Sequence, residues 1–101
     1  MSITEVRVLA EAADELEAAA AFYDSRKPGL GDEFWDVLLA DIESLEDYAG
    51  IHARHCGYHR MLAKRFPYAV YYRIHSDIAY VIAVLPLRRD PKWIARRLGR
   101  G

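Results

Sequence analysis

The chain has 101 residues and a single cysteine, Cys56. That length builds one domain with a modest core, and one cysteine excludes an internal disulfide and suits a reducing cytosol. No apolar run is long enough to span a bilayer and the N-terminus carries no signal-peptide pattern, so a soluble, cytoplasmic protein is expected. The net charge of −1 hides an asymmetry: residues 1–53 hold 13 acidic and 3 basic residues, whereas residues 54–101 hold 2 acidic and 11 basic. Either the basic half meets an anionic partner, or the two halves pair with each other in the fold.

Residues 3–8 alternate and read as a short strand. Residues 11–23 are rich in Ala, Glu and Leu, and Ala12, Leu16, Ala19, Ala20 and Tyr23 fall on one helical stripe. Pro28-Gly29-Leu30-Gly31 breaks that helix. Asp32 is then the expected N-cap of a second helix, in which Phe34, Leu38, Ile42 and Leu45 recur at helical spacing beside Trp35 and Leu39. The short connection implies an antiparallel helical hairpin.

Residues 50–57 read as a loop. With His59 it carries His52, His55 and Cys56, side chains that suit zinc in kind. Their spacing matches no metal motif, so they read as polar loop residues, with no metal and no cofactor expected.

Three strands follow, at residues 58–65, 68–75 and 78–85, dense in Val, Ile and Tyr. Pro67 suits a corner and Ser76-Asp77 a turn. That turn sets Ile74 opposite Ala79, Tyr72 opposite Val81, Val70 opposite Ala83 and Tyr68 opposite Leu85. One face then carries Tyr68, Val70, Tyr72, Ile74, Ala79, Val81, Ala83 and Leu85, and belongs to the core. The other carries Tyr71, Arg73, His75, Tyr80, Ile82 and Val84, too apolar to be simply solvated. It requires a second cover, from this chain or from a partner.

Beyond Pro91, residues 92–98 read as a short basic helix anchored by Trp93 or Ile94, with Asp90 as N-cap and Pro91 at the first helical position. The fold expected is α+β: an N-terminal strand, an antiparallel helical hairpin packed on a mostly antiparallel four-stranded sheet, and a short C-terminal basic helix.

Taken in order, Tyr23, Pro28-Gly29-Leu30-Gly31, Phe34, Arg60, Arg65-Phe66-Pro67-Tyr68, Tyr72-Arg73, Arg88-Arg89-Asp90-Pro91, Trp93 and Arg96 resemble the RelE/ParE toxin superfamily of type II toxin–antitoxin systems. The resemblance spans nearly the whole chain. It implies a toxin held inactive by a cognate antitoxin, with higher-order assembly of the complex. A helix or extended tail of the antitoxin would cover Tyr71, Ile82 and Val84 and dock beside Trp35. Arg60, Trp93 and Arg96 complete the expected partner-binding set.

Two activities belong to that superfamily: cleavage of messenger RNA in the ribosomal A site, and inhibition of DNA gyrase. Metal-free RNA cleavage needs a 2′-hydroxyl activated, phosphate charge stabilised and a proton donated to the leaving oxygen. Here Tyr68 stands where an arginine of the cleaving cluster is expected, no tyrosine follows Tyr80, and Pro86-Leu87 precedes the arginine pair. Those departures favour the ParE-like activity, which acts by binding a target. A RelE-like endoribonuclease is the alternative, with His59 or His75 transferring protons, and an inactive relative serving as a binding module is a third. Arg65, Arg73, Arg88 and Arg89 are the catalytic candidates, and with Arg60 they could grip phosphate or carboxylate through their planar forks. For Arg65 the competing role is an ion pair with Asp36 or Glu43.

Overall fold

The computed structural model describes residues 3–100. The chain forms β1 (Glu5–Val8), α1 (Ala10–Arg26), α2 (Leu30–Glu43), the single turn α3 (Leu45–Tyr48), β2 (Arg54–His55), β3 (Tyr58–Leu62), β4 (Tyr68–His75), β5 (Ile78–Pro86) and α4 (Pro91–Arg100). The sheet has five strands in the order β1-β5-β4-β3-β2, with β1 parallel to β5 and the other neighbours antiparallel.

The fifth strand is β2, in the stretch expected to be loop. Cys56 and Gly57 take left-handed φ values of 54° and 85°. Two successive residues at positive φ are what a tight hairpin matched to strand twist requires. His55 therefore folds back opposite Tyr58, and Arg54 opposite His59.

The helical hairpin is as expected, but its cap is not Asp32. The second helix starts at Leu30, and Gly29 precedes it at a left-handed φ of 91°. Asp24, near the end of α1, caps it instead. Its Oδ1 accepts the N–H groups of Gly29 at 2.9 Å and Gly31 at 3.2 Å. Gly31 also permits the helices to touch, since a Cβ there would lie 2.7 Å from the Ala20 carbonyl oxygen.

The main core lies between the hairpin and one sheet face. Leu16, Phe34, Leu38 and Leu45 meet Val70, Tyr72 and Val81 there. Tyr23, Phe34, Phe66 and Tyr68 pack as an aromatic group with ring centroids 5.0–6.2 Å apart.

The expected pairing of β4 with β5 holds only near the turn. Ile74 faces Ala79 and Tyr72 faces Val81, but Tyr71 then faces Ala83 and Val70 faces Val84. Ile82 is an extra residue, a β-bulge. One inserted residue reverses every side chain beyond it. Val84 therefore turns into the main core, while Ala83 and Leu85 turn to the opposite face, the reverse of the sequence expectation. On that face Ala69, Tyr71, Ala83 and Leu85 are buried with Ile94 and Leu98 of α4. The second cover thus comes from this chain. Burying Ile94 and Leu98 stabilises the docked helix by about 1.5–3 kcal/mol each.

Candidate functional site

A bulge leaves backbone groups without ladder partners. Two side chains supply them. Glu15 of α1 accepts the Val84 N–H through Oε1 at 3.0 Å. Arg97 of α4 donates from one terminal nitrogen to the Ile82 carbonyl at 2.9 Å, and its Nε donates to Glu15 Oε2 at 2.7 Å. Arg97 is only 3% exposed. Helix, bulge and helix are thereby tied at one point, and α4 is held across the sheet. The sequence offered a weak signal for this pair: Arg97 lies one turn from Ile94 and next to Leu98, the residues that α4 buries.

Beside that tie the chain leaves a groove of about 620 Å³ between α1, the end of β5 and the start of α4. Ala18, Ala19, Val84 and Leu85 contribute an apolar lining. Arg88 and Arg89 lie on the turn between β5 and α4 and line it as well. Each is set against an aromatic ring: Arg89 is 4.3 Å from the centroid of Trp93, and Arg88 is 6.0 Å from that of Phe22. A guanidinium so placed keeps its donors free for a ligand while its flat face rests on the ring. Phe22 was not singled out in the sequence. It stands one residue before the helical stripe that ends at Tyr23, which marks it as facing away from the main core.

Tyr68 also lines the groove, and burial raises its hydroxyl pKa, with Tyr23 adding to the rise and Arg88 opposing it. The phenol stays protonated. Glu15 lines the groove too, but it is engaged by Arg97 and the bulge. Histidine is absent from the residues lining this groove.

Of the expected site residues, Arg88, Arg89 and Trp93 come together here. Arg65 is elsewhere, 3.3 Å from Glu33 of α2 rather than from Asp36 or Glu43. Arg73 lies on the outer sheet face, 4.5 Å from the Tyr80 ring centroid. Arg96 is exposed on α4, and Trp35 is half-buried on α2 against the main core. Arg60 on β3 lies opposite Tyr71, with its Nε buried and unpartnered. Tyr71 is buried beneath α4 and Ile82 within the bulge, so neither presents a surface to a partner here. Among the described residues, Arg73, Arg88, Arg89 and Arg96 pair with no carboxylate. The charge asymmetry is therefore met partly inside the fold, by Arg65 and Arg97, and partly left outward.

Two of the histidines, His52 and His59, serve the loop before β3. His52 Nδ1 and the Tyr72 hydroxyl are 2.6 Å apart, the same hydroxyl accepts the Gly50 N–H at 2.9 Å, and the His59 ring stacks on Tyr72. Burial lowers the His52 pKa, with His59 adding to the effect. Among the described residues, no three His, Cys, Asp or Glu side chains are placed to hold a metal ion.

The chain shares this α+β fold with a solved structure. That structure, described as "Chromosomal ParDE TA system from P. aeruginosa", superposes with a TM-score of 0.76 at 13% sequence identity, covering 85% of this chain and 98% of that one. No protein-family model matches the sequence, and neither does any curated protein. Among the described residues, no helix is long and apolar enough to cross a membrane.

Proposed function

We propose that this chain is the toxin of a type II toxin–antitoxin system, acting in the cytoplasm. In this reading it is ParE-like: it arrests growth by binding a target, DNA gyrase, and a cognate antitoxin neutralises it. The likeness of fold to a ParDE component supports the toxin class. The groove supports binding over cleavage. Arg88 and Arg89 can grip an anionic group there, but no side chain lining it is free to take and return a proton near neutral pH. Tyr68 is held neutral and Glu15 is committed to Arg97. Positive charge without a proton-transfer partner binds an anion and does not by itself cleave RNA.

The test is expression of the chain alone in a bacterial host, with pulse labelling of DNA and protein synthesis. The expected result is an early stop in DNA synthesis with filamentation. An early stop in protein synthesis would assign a RelE-like ribonuclease instead. Unaffected growth would leave a binding module without toxicity.

A further inference from the structure

One row of side chains crosses all five strands on the outer sheet face, beyond the end that α4 covers. The registers set His55 beside Tyr58, Arg73 beside Tyr80, and Tyr80 beside Arg7. The β3–β4 pairing, carried one step past His59 and Tyr72, sets Tyr58 beside Arg73. His55 lies 6.1 Å from the Tyr71 ring, and Tyr58 packs on the cluster that holds Tyr71. Ala79 and Val81, on either side of Tyr80, turn into the main core, so alternation sends Tyr80 outward. The row therefore reads His55, Tyr58, Arg73, Tyr80, Arg7, and spans about 19 Å at about 4.8 Å per strand. His55, Arg73 and Arg7 are exposed, and the two tyrosines are half-buried.

Cations and rings alternate along the row, but they are not equally free. Arg73 lies 4.5 Å and Arg7 5.9 Å from the Tyr80 ring centroid. Arg7 is also paired with Glu5, whereas Arg73 meets no carboxylate among the described residues. With its flat face on the ring, Arg73 keeps its edge donors available. Arg60 follows Tyr58 on the same side of β3, opposite Tyr71. Among the described residues it has no carboxylate partner, and its Nε is buried without an acceptor. No cation or aromatic ring is stacked on Tyr58 among the described residues. Glu5 on β1 and Asp77 at the turn beside it are the acids here, so the free positive charge lies over β3 and β4.

Two free guanidinium groups beside an open ring match phosphates beside a base. An acidic peptide would use the cations and leave the ring idle, and a duplex keeps its bases stacked inside. A single-stranded polynucleotide engages both groups. The row holds no carboxylate or carboxamide to accept from a 2′-hydroxyl, so the sugar is not read. We propose that this face binds a single-stranded polynucleotide, with phosphates on Arg60 and Arg73 and a base stacked on Tyr58, irrespective of its sugar. The site shares no residue with the Arg88 and Arg89 groove and does not rest on the toxin reading.

The test is fluorescence anisotropy of labelled oligothymidylate and oligouridylate, each about twelve nucleotides long, with the whole chain over a range of salt. The two oligonucleotides are expected to bind within about twofold of each other and more tightly than a duplex of equal length. Tyr58→Leu, which keeps the apolar packing and removes the ring, is expected to weaken binding about fivefold or more. Arg73→Ala is expected to flatten the slope of log affinity against log salt by about 0.7, one phosphate contact. Lys27→Ala removes an equal charge from the exposed end of α1 and is expected to leave affinity and slope unchanged. Circular dichroism confirms that each variant is folded. Absence of binding at about 0.1 mM protein in low salt, where phosphate contacts are strongest, would overturn the proposal. So would tighter binding of the duplex, full affinity in a folded Tyr58→Leu variant, or equal losses from Lys27→Ala and Arg73→Ala, which would mean diffuse charge alone. A preference of about tenfold for oligouridylate would overturn the sugar-independent site in favour of one that reads the 2′-hydroxyl.

Discussion

Arg97 and Glu15 meet through two hydrogen bonds, of 2.7 and 3.1 Å, and each also binds a backbone group that the β5 bulge leaves free. Two helices and the irregular point of the sheet therefore depend on one ion pair. Breaking such a pair strands the surviving charge and the bulge backbone together. Arg97→Ala is expected to lower stability by about 3–5 kcal/mol, the usual cost of removing one partner of a buried pair. Chemical denaturation checks this, and a loss below about 1 kcal/mol, the ordinary scale of a surface pair, would show that the tie is not energetically buried.

Gly31 carries a different constraint. A methyl group at this position would meet the Ala20 carbonyl at 2.7 Å and the Asp24 Cβ at 2.9 Å. Gly31→Ala should force α1 and α2 apart and cost about 1–3 kcal/mol, despite the better helix propensity of alanine. Thermal melting of the two proteins decides whether propensity or crowding wins.

Arg88 and Arg89 are exposed and make no ion pair among the described residues. Substituting either by Ala should therefore leave stability within about 0.5 kcal/mol of the parent, as for other surface sites. Arg89→Ala should nevertheless weaken growth arrest when expressed without an antitoxin. Full toxicity in a folded Arg89→Ala variant would remove the groove from the proposed site.

The Tyr72, His52 and Gly50 cluster predicts a pH dependence. Burial depresses the His52 pKa in the folded protein, so the unfolded chain binds that proton more readily. The contribution of His52 to stability is then complete above its ordinary pKa and is lost as pH falls through the lower, folded value. Denaturation midpoints measured from neutral pH downward should fall, and His52→Gln should flatten part of that slope. Tyr72→Phe should cost about 1–3 kcal/mol at neutral pH, by leaving the Gly50 N–H and His52 without their shared hydroxyl.

Burial also changes what a substitution at Tyr71 reports. The ring is 1% exposed beneath α4. Tyr71→Asp should therefore undock the helix and destabilise the fold before it alters any partner contact, an outcome that far-UV circular dichroism and melting would register together.

The amphipathic stripes of the hairpin, the Pro28 to Gly31 break and the β-rich runs were legible because each is a local pattern. Side-chain period and backbone restriction act over a few residues. Cys56-Gly57 was not legible as a turn, since nothing local announces a cysteine at positive φ. It takes that conformation because β2 pairs with β3. Asp32 looked like a cap, but Asp24 does that work from the neighbouring helix, across a distance that sequence spacing does not express.

The sequence by itself determined the order of the longer helices and strands, the main core stripe and the presence of a basic arginine-rich C-terminal region, because periodicity and charge are properties of the chain. Tertiary structure alone decided which face Ala83, Val84 and Leu85 serve. A single inserted residue, Ile82, reverses the alternation, and its cost is offset only when Glu15 and Arg97, 82 positions apart, arrive from two helices to bind the freed backbone.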